Sequence, residues 1–224
     1  MLSKISFKVF LLYTLCNKIV ADFIPYGHGN GDYEFPLRDD YTLLISPNYP
    51  FKFFNKSYSS LYLSSNGIVS FDKAASHLPS SFPRESPVAI APFWADINII
   101  KSGQIFYRQV LSGSNLEKIG IEIRQGLSVS FYPRWAFVVT WFEVAPYQNF
   151  ANLPKNTFQL VLTNDFLNSF AILNYKTLEW EGNFSAGINA VNSILVFLYS
   201  LFDSKKKIVD SSRSLYTFSF ILGI

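Results

Sequence analysis

The chain has 224 residues, 49% of them hydrophobic and 18% aromatic, enough to bury a large core in one main domain and too apolar for a disordered chain. Its formal charge of +3 comes from Lys4, Lys8 and Lys18 in the first 21 residues; without them 16 basic residues face 16 acidic ones. The remaining chain is neutral and gives no support to a nucleic-acid partner, whose footprint is a basic patch on the folded domain.

Lys4 and Lys8 precede a short apolar run at residues 9–15, and Ile19 and Val20 lead to the small residue Ala21. This is the layout of a secretory signal, residues 1–21, with cleavage after Ala21. The run of about seven residues falls well short of the roughly 20 that a spanning helix needs, so no membrane span is expected in the mature chain. Cys16, the sole cysteine, leaves with the signal. The mature chain then has no disulfide, thiol nucleophile or thiolate ligand, and its core has to supply the stability.

Residues 22–50 are dense in Gly, Asn and Asp, which predicts turns with a strand only at 41–45. Two β-prone runs flank Asn66-Gly67, the signature of a hairpin closed by a type I′ turn with positive φ at both central positions. Pro79, Pro83 and Pro87 make residues 77–87 a surface loop. Residues 115–126 are the one helical candidate: Ser114 and Glu117 have capping-box spacing, and Leu116, Ile119, Ile123 and Leu127 recur at the helical period.

In residues 135–144, Trp135, Phe137, Val139 and Trp141 share one strand face, and Ala136, Val138, Phe142 and Val144 the other. Apolar residues on both faces predict a central strand covered on both sides. Residues 158–163 and 170–175 form a second hairpin around the polar stretch 164–169, and 178–182 and 186–190 are the closing strands. The fold class is therefore mainly β, an antiparallel β-sandwich with one short helix packed on it. Beyond residue 190 two apolar runs flank a basic cluster at 205–207, and neither is long enough to span a bilayer.

Several segments occur in one order: residues 51–71 with the Asn66-Gly67 turn, 90–96 (IAPFWAD), 105–108 (IFYR), 135–147 (WAFVVTWFEVAPY), 156–159 (NTFQ), 170–175 (FAILNY) and 186–189 (AGIN). Together they resemble the nidogen-like (NIDO) extracellular domain over most of residues 22–190. Residues 191–224 form a divergent C-terminal segment that does not match the family's closing strand. The resemblance implies a secreted module of cell–matrix adhesion that binds extracellular matrix or cell-surface proteins, with no established catalytic residues and no cofactor.

Other readings compete at single motifs. Asn55 and Asn183 begin the only two N-x-[ST] sequons and are the glycosylation candidates. Asp32, Asp39, Asp40 and Asp96 offer hard oxygen ligands, yet their spacing matches no calcium loop and suits turns, so no metal is expected. Glu179 and Glu181 share a strand face and would seat the carboxylate pair of a carbohydrate-active or carbohydrate-binding jelly roll; two solvated glutamates around a buried Trp180 explain the same spelling. His28 and His77, the only histidines, lack a nucleophile elbow or a third metal-binding histidine. Trp94, Trp135 and Trp141 read as core.

If the signal is used, N-terminal sequencing of the secreted protein begins at Asp22, and melts with and without reductant coincide. A product that begins at Met1, or a lower melting temperature in reductant, contradicts this reading.

Overall fold

The computed structural model describes residues 23–54, 56–79, 86–180, 182–190, 193–196 and 218–224. Ala21, Cys16, Asn55 and Glu181 lie outside the described residues. Two six-stranded antiparallel sheets carry the fold. The first runs in the order β1 (Tyr33–Glu34), β8 (Gln104–Val110), β9 (Trp135–Val144), β10 (Asn156–Asn164), β11 (Ser169–Leu178) and β14 (Phe218–Gly223). The second runs β13 (Ser193–Val196), β12 (Ser185–Ala190), β7 (Ala89–Trp94), β6 (Ile68–Ser70), β5 (Leu61–Ser64) and β2 (Thr42–Ile45). A small hairpin, β3 (Phe51–Phe53) with β4 (Lys56–Tyr58), stands apart, and helix α1 (Ser114–Leu127) covers the first sheet. The sandwich with one helix packed on it is thus the observed architecture. Residues 191–224 supply β13, paired with β12, and β14, paired with β11.

Strand β9 is buried on both faces. Trp135, Phe137, Val139 and Trp141 enter the core between the sheets, while Ala136 and Val138 face Leu116, Ile119 and Ile123 of α1 together with Phe131. Trp141 stacks on Phe158 with centroids 5.0 Å apart, and Phe158 meets Phe93 of the opposite sheet at 5.6 Å. The buried polar tips find partners across the core: Trp141 Nε1 donates to Ser64 O at 3.2 Å, and the Tyr175 hydroxyl donates to Pro92 O at 2.7 Å. Burial drives the Tyr175 hydroxyl pKa far above its ordinary value, so it stays a donor.

The outer face of the first sheet has a polar centre. Thr140, Gln159 and Asn174 lie side by side on β9, β10 and β11, all fully buried. Gln159 Nε2 donates to Thr140 Oγ1 at 2.8 Å, and Asn174 Nδ2 donates to Gln159 Oε1 at 3.3 Å. Gln159 also clasps the N-terminal segment, accepting from Ile24 N at 2.9 Å and donating to Ile24 O at 2.8 Å. Arg108 pairs with Asp32 and donates to Pro25 O, which holds the same segment farther along. Each of these groups, left unpaired and buried, would cost about 1–3 kcal/mol.

Five local expectations change. Residues 22–50 hold the strand Tyr33–Glu34, paired with β8, besides Thr42–Ile45. The Asn66-Gly67 hairpin forms with a three-residue loop, because Ser64 pairs with Ile68 and only Gly67, at φ 79°, is left-handed; this is a bulged turn and not type I′. The capping box is absent: Gly113 is the N-cap and no side chain caps the helix, so Ser114 sits one position too late. Val144 faces the inner core, because Phe142 and Glu143 together oppose Thr157 and the bulge, with Glu143 at φ 49°, reverses the alternation. Residues 179 and 180 leave the sheet after β11, where Trp180 turns into the core and donates to Val144 O at 3.0 Å.

Gly67 is doubly constrained, since a Cβ there would stand 1.9 Å from Phe93 O. Gly67→Val should therefore lower unfolding free energy by more than about 2 kcal/mol, from backbone strain plus the displaced β7 backbone. Denaturant titration measures this, and a neutral result removes the tight turn from the account.

Candidate functional site

With both faces of the first sheet covered, its exposed parts are the loop clusters at the two ends of the sandwich. At one end the β10–β11 hairpin turns through residues 165–168. Asp165 Oδ1 accepts from Leu167 N at 3.0 Å and from Asn168 N at 2.7 Å, an Asx turn that fixes the loop. Phe166 at its tip has φ 75°, a conformation that costs a bulky residue on the order of 1–3 kcal/mol. The strain holds a large ring in solvent: Phe166 is 55% exposed, Leu167 76% and Tyr49 39%, and Tyr49 meets Phe166 edge to face at 4.9 Å.

The loop that carries Tyr49 is anchored from below. Gln109 Oε1 accepts from Asn48 N at 2.6 Å and from Trp135 Nε1 at 2.8 Å, while Gln109 Nε2 donates to Ser46 O at 3.1 Å. Lys52 Nζ donates to Leu167 O at 3.4 Å. The result is an apolar tip on rigid supports with a cation at its side. Nothing in composition marked it, because residues 164–169 read as a polar hairpin loop; the available signal was the pair Phe166-Leu167 at the centre of that loop, where an apolar residue has no core to enter.

The opposite end holds most of the acidic candidates. Asn66 Nδ2 donates to Asp40 Oδ1 at 2.8 Å, and Asn98 Nδ2 donates to Asp39 Oδ2 at 2.6 Å. Asn66 Oδ1 and Asn98 Oδ1 accept from the backbone N of Ile97 and Ile100 at 2.9 and 3.0 Å. These bonds tie the β2, β5–β6 and β7–β8 connections together. Burial raises the Asp39 and Asp96 carboxyl pKa values, with the charge of Asp40 as the next cause. Asp32 is elsewhere, paired with Arg108. The four aspartates do not converge, and among the described residues no group of three or more His, Cys, Asp or Glu is arranged to hold a metal ion.

Glu179 is exposed and accepts from Lys155 N at 2.8 Å; Trp180 beside it is buried. His28 pairs with Glu34 at 2.9 Å near the β1 edge, while His77 is an exposed loop residue, and neither joins a nucleophile. Trp94, Trp135 and Trp141 are core residues. Asn183 is exposed in a bend just before β12. No helix among the described residues is long and apolar enough to cross a membrane.

A family model described as the nidogen-like domain matches residues 59–201. Alpha-tectorin of Mus musculus is 36% identical over 142 residues, 62% of this chain and 7% of that protein. Nidogen-2 of Mus musculus is 35% identical over 167 residues, 69% of this chain and 12% of that protein. Dendrite extension defective protein 1 of Caenorhabditis elegans is 32% identical over 168 residues, 74% of this chain and 15% of that protein. The matched region is thus a small part of each of these relatives. No solved structure matches significantly.

The acidic end carries a pH dependence of definite sign. A carboxyl whose pKa rises on folding binds more protons in the native state, so stability falls as pH climbs from the ordinary value of 3.8 through the raised one. Asp96→Asn should raise the melting temperature at neutral pH, and the gain should shrink as the pH is lowered toward 4. A gain that grows with acidity contradicts the mutual repulsion of these aspartates.

Proposed function

Because this chain belongs to the nidogen-like domain family, we propose that it serves as a secreted extracellular-matrix module, binding matrix or cell-surface proteins in cell–matrix adhesion without catalysis. Family membership supports the extracellular-matrix role. The single observation that supports a binding surface is the tip formed by Tyr49, Phe166 and Leu167, where a strained loop holds two large apolar side chains in solvent. Burying such a side chain against a partner contributes about 1.5–3 kcal/mol, and aromatic anchors of this kind dominate protein interfaces.

The tip also suits its task kinetically. Its backbone is fixed before any partner arrives, so binding loses little conformational entropy. The side chains and backbone that hold it, from Gln109, Asp165 and Lys52, keep their places when the apolar groups are removed. Secretion through residues 1–21 belongs to the same proposal.

Immobilised mature chain should retain cells or matrix proteins in a solid-phase assay. Phe166→Gly with Leu167→Ser should cut that retention by at least about tenfold while stability stays within about 1 kcal/mol, because glycine relieves the left-handed strain. Glu179→Gln with Glu181→Gln should leave retention unchanged. Full retention by the tip variant moves the binding surface elsewhere; turnover of a glycan by the wild type, lost in the folded double glutamine variant, replaces adhesion with carbohydrate chemistry.

A further inference from the structure

We infer that Asn183 carries an N-linked oligosaccharide, placed at the end of the sandwich opposite the Phe166 tip; the inference rests on the extracellular reading, since the transfer takes place in the secretory lumen. The sequon is Asn183-Phe184-Ser185. Its asparagine is exposed in a bend, and Ser185 begins β12 beside Trp94 of β7. Between them Phe184 is pulled inward, its ring stacked on Phe93 with centroids 4.8 Å apart and planes within 8°. Along extended chain, neighbours of an inward side chain point outward. Phe184 therefore acts as the peg that turns the Asn183 amide to solvent, and a bulky group attached there leaves the sheet undisturbed.

The transfer itself is balanced by a lipid-pyrophosphate-linked oligosaccharide. Asn183 Nδ2 bonds to the anomeric carbon of the first sugar, the anomeric C–O bond to the pyrophosphate breaks, and the amide gives up one proton.

Position gives the modification its consequence. Asn183 follows the Asn156–Leu178 end of the β10–β11 pair, whereas the tip follows the Asn164–Ser169 end of the same pair. The nine residues of β10 separate the two by roughly 27 Å. The residue before it, Gly182, lies beside the β9–β10 connection instead: a Cβ on Gly182 would stand 3.6 Å from Gln148 Oε1, and Tyr147 and Phe150 in that connection are 53% and 47% exposed. An oligosaccharide here stands over that second aromatic loop and leaves the Phe166 tip open.

The full chain, with its own first 21 residues, is expressed in secreting eukaryotic cells as wild type, Asn183→Gln, Ser185→Ala and Ser185→Thr. Peptide-N-glycosidase in heavy-oxygen water marks each occupied asparagine as a labelled aspartate, which separates Asn183 from Asn55 by peptide mass. The label is expected at Asn183 in the wild type and Ser185→Thr, and its absence in Ser185→Ala, which keeps the asparagine, tests the sequon without altering the modified residue. Deglycosylated folded protein is expected to keep its retention in the solid-phase assay. A secreted chain with Asn183 unlabelled overturns the site; a chain held unmodified in the cytosol overturns the extracellular reading, and the glycan with it. Loss of retention on deglycosylation overturns the separation of glycan from binding tip.

Discussion

A strand buried on both faces has to be covered twice, and β9 sets this condition for the whole domain. Its inner face, from Trp135 to Trp141, needs an apolar partner layer, which the second sheet supplies through Leu61, Leu63, Ile90 and Phe93. Its outer face, at Ala136 and Val138, is covered by the Leu116, Ile119 and Ile123 stripe of α1. The helix is therefore a second lid. Its Gly120 follows from the same packing, since a Cβ there would stand 2.7 Å from Pro133 Cδ, and close approach outweighs the helix propensity lost.

The outer face also carries a polar requirement that the helix cannot meet. Thr140, Gln159 and Asn174 are buried amide and hydroxyl groups in a row, and a half-paired row of this kind is worse than an apolar one. The backbone of Ile24 completes it, entering the Gln159 amide as a neighbouring strand would. The N-terminal segment is thereby part of the fold and not a tail. Arg108 and Asp32 extend the attachment, with burial of Asp32 raising its carboxyl pKa against the lowering pull of Arg108.

With both faces of the first sheet covered, its free surface concentrates at the ends, where loops carry the variable chemistry. The two ends are built differently. Around Asn66, Asn98, Asp39 and Asp40 the loops are knitted by side-chain hydrogen bonds, and the polar groups serve the structure itself. Around Phe166 the Asp165 carboxylate fixes the backbone of its own loop, and the apolar groups at the tip stay outside. Strain held at an exposed aromatic has no benefit for the isolated fold, and this directs attention to that tip as a binding surface.

Period and punctuation alone determined a good deal about this protein. Alternation at the strand period on both faces of residues 135–144 implied a doubly covered central strand, the stripe Leu116, Ile119, Ile123 and Leu127 implied the helix above it, and Asn66-Gly67 implied the hairpin, because each is a local pattern in which side-chain spacing and backbone preference agree. The family was legible in collinear segments for the same reason, since the aromatic positions are the core. What the tertiary structure decided depends on partners distant in sequence. The reversal of Val144 needed the register of β9 against β10; the Gln159 clasp on Ile24 joins residues 135 apart; the displacement of Ser114 from the cap followed from where Gly113 turns. The tip was hidden because exposure is not a property of a residue: Phe166 and Leu167 carry the same apolar side chains as the core, and only the packed arrangement of every other element shows that no core remains for them to enter.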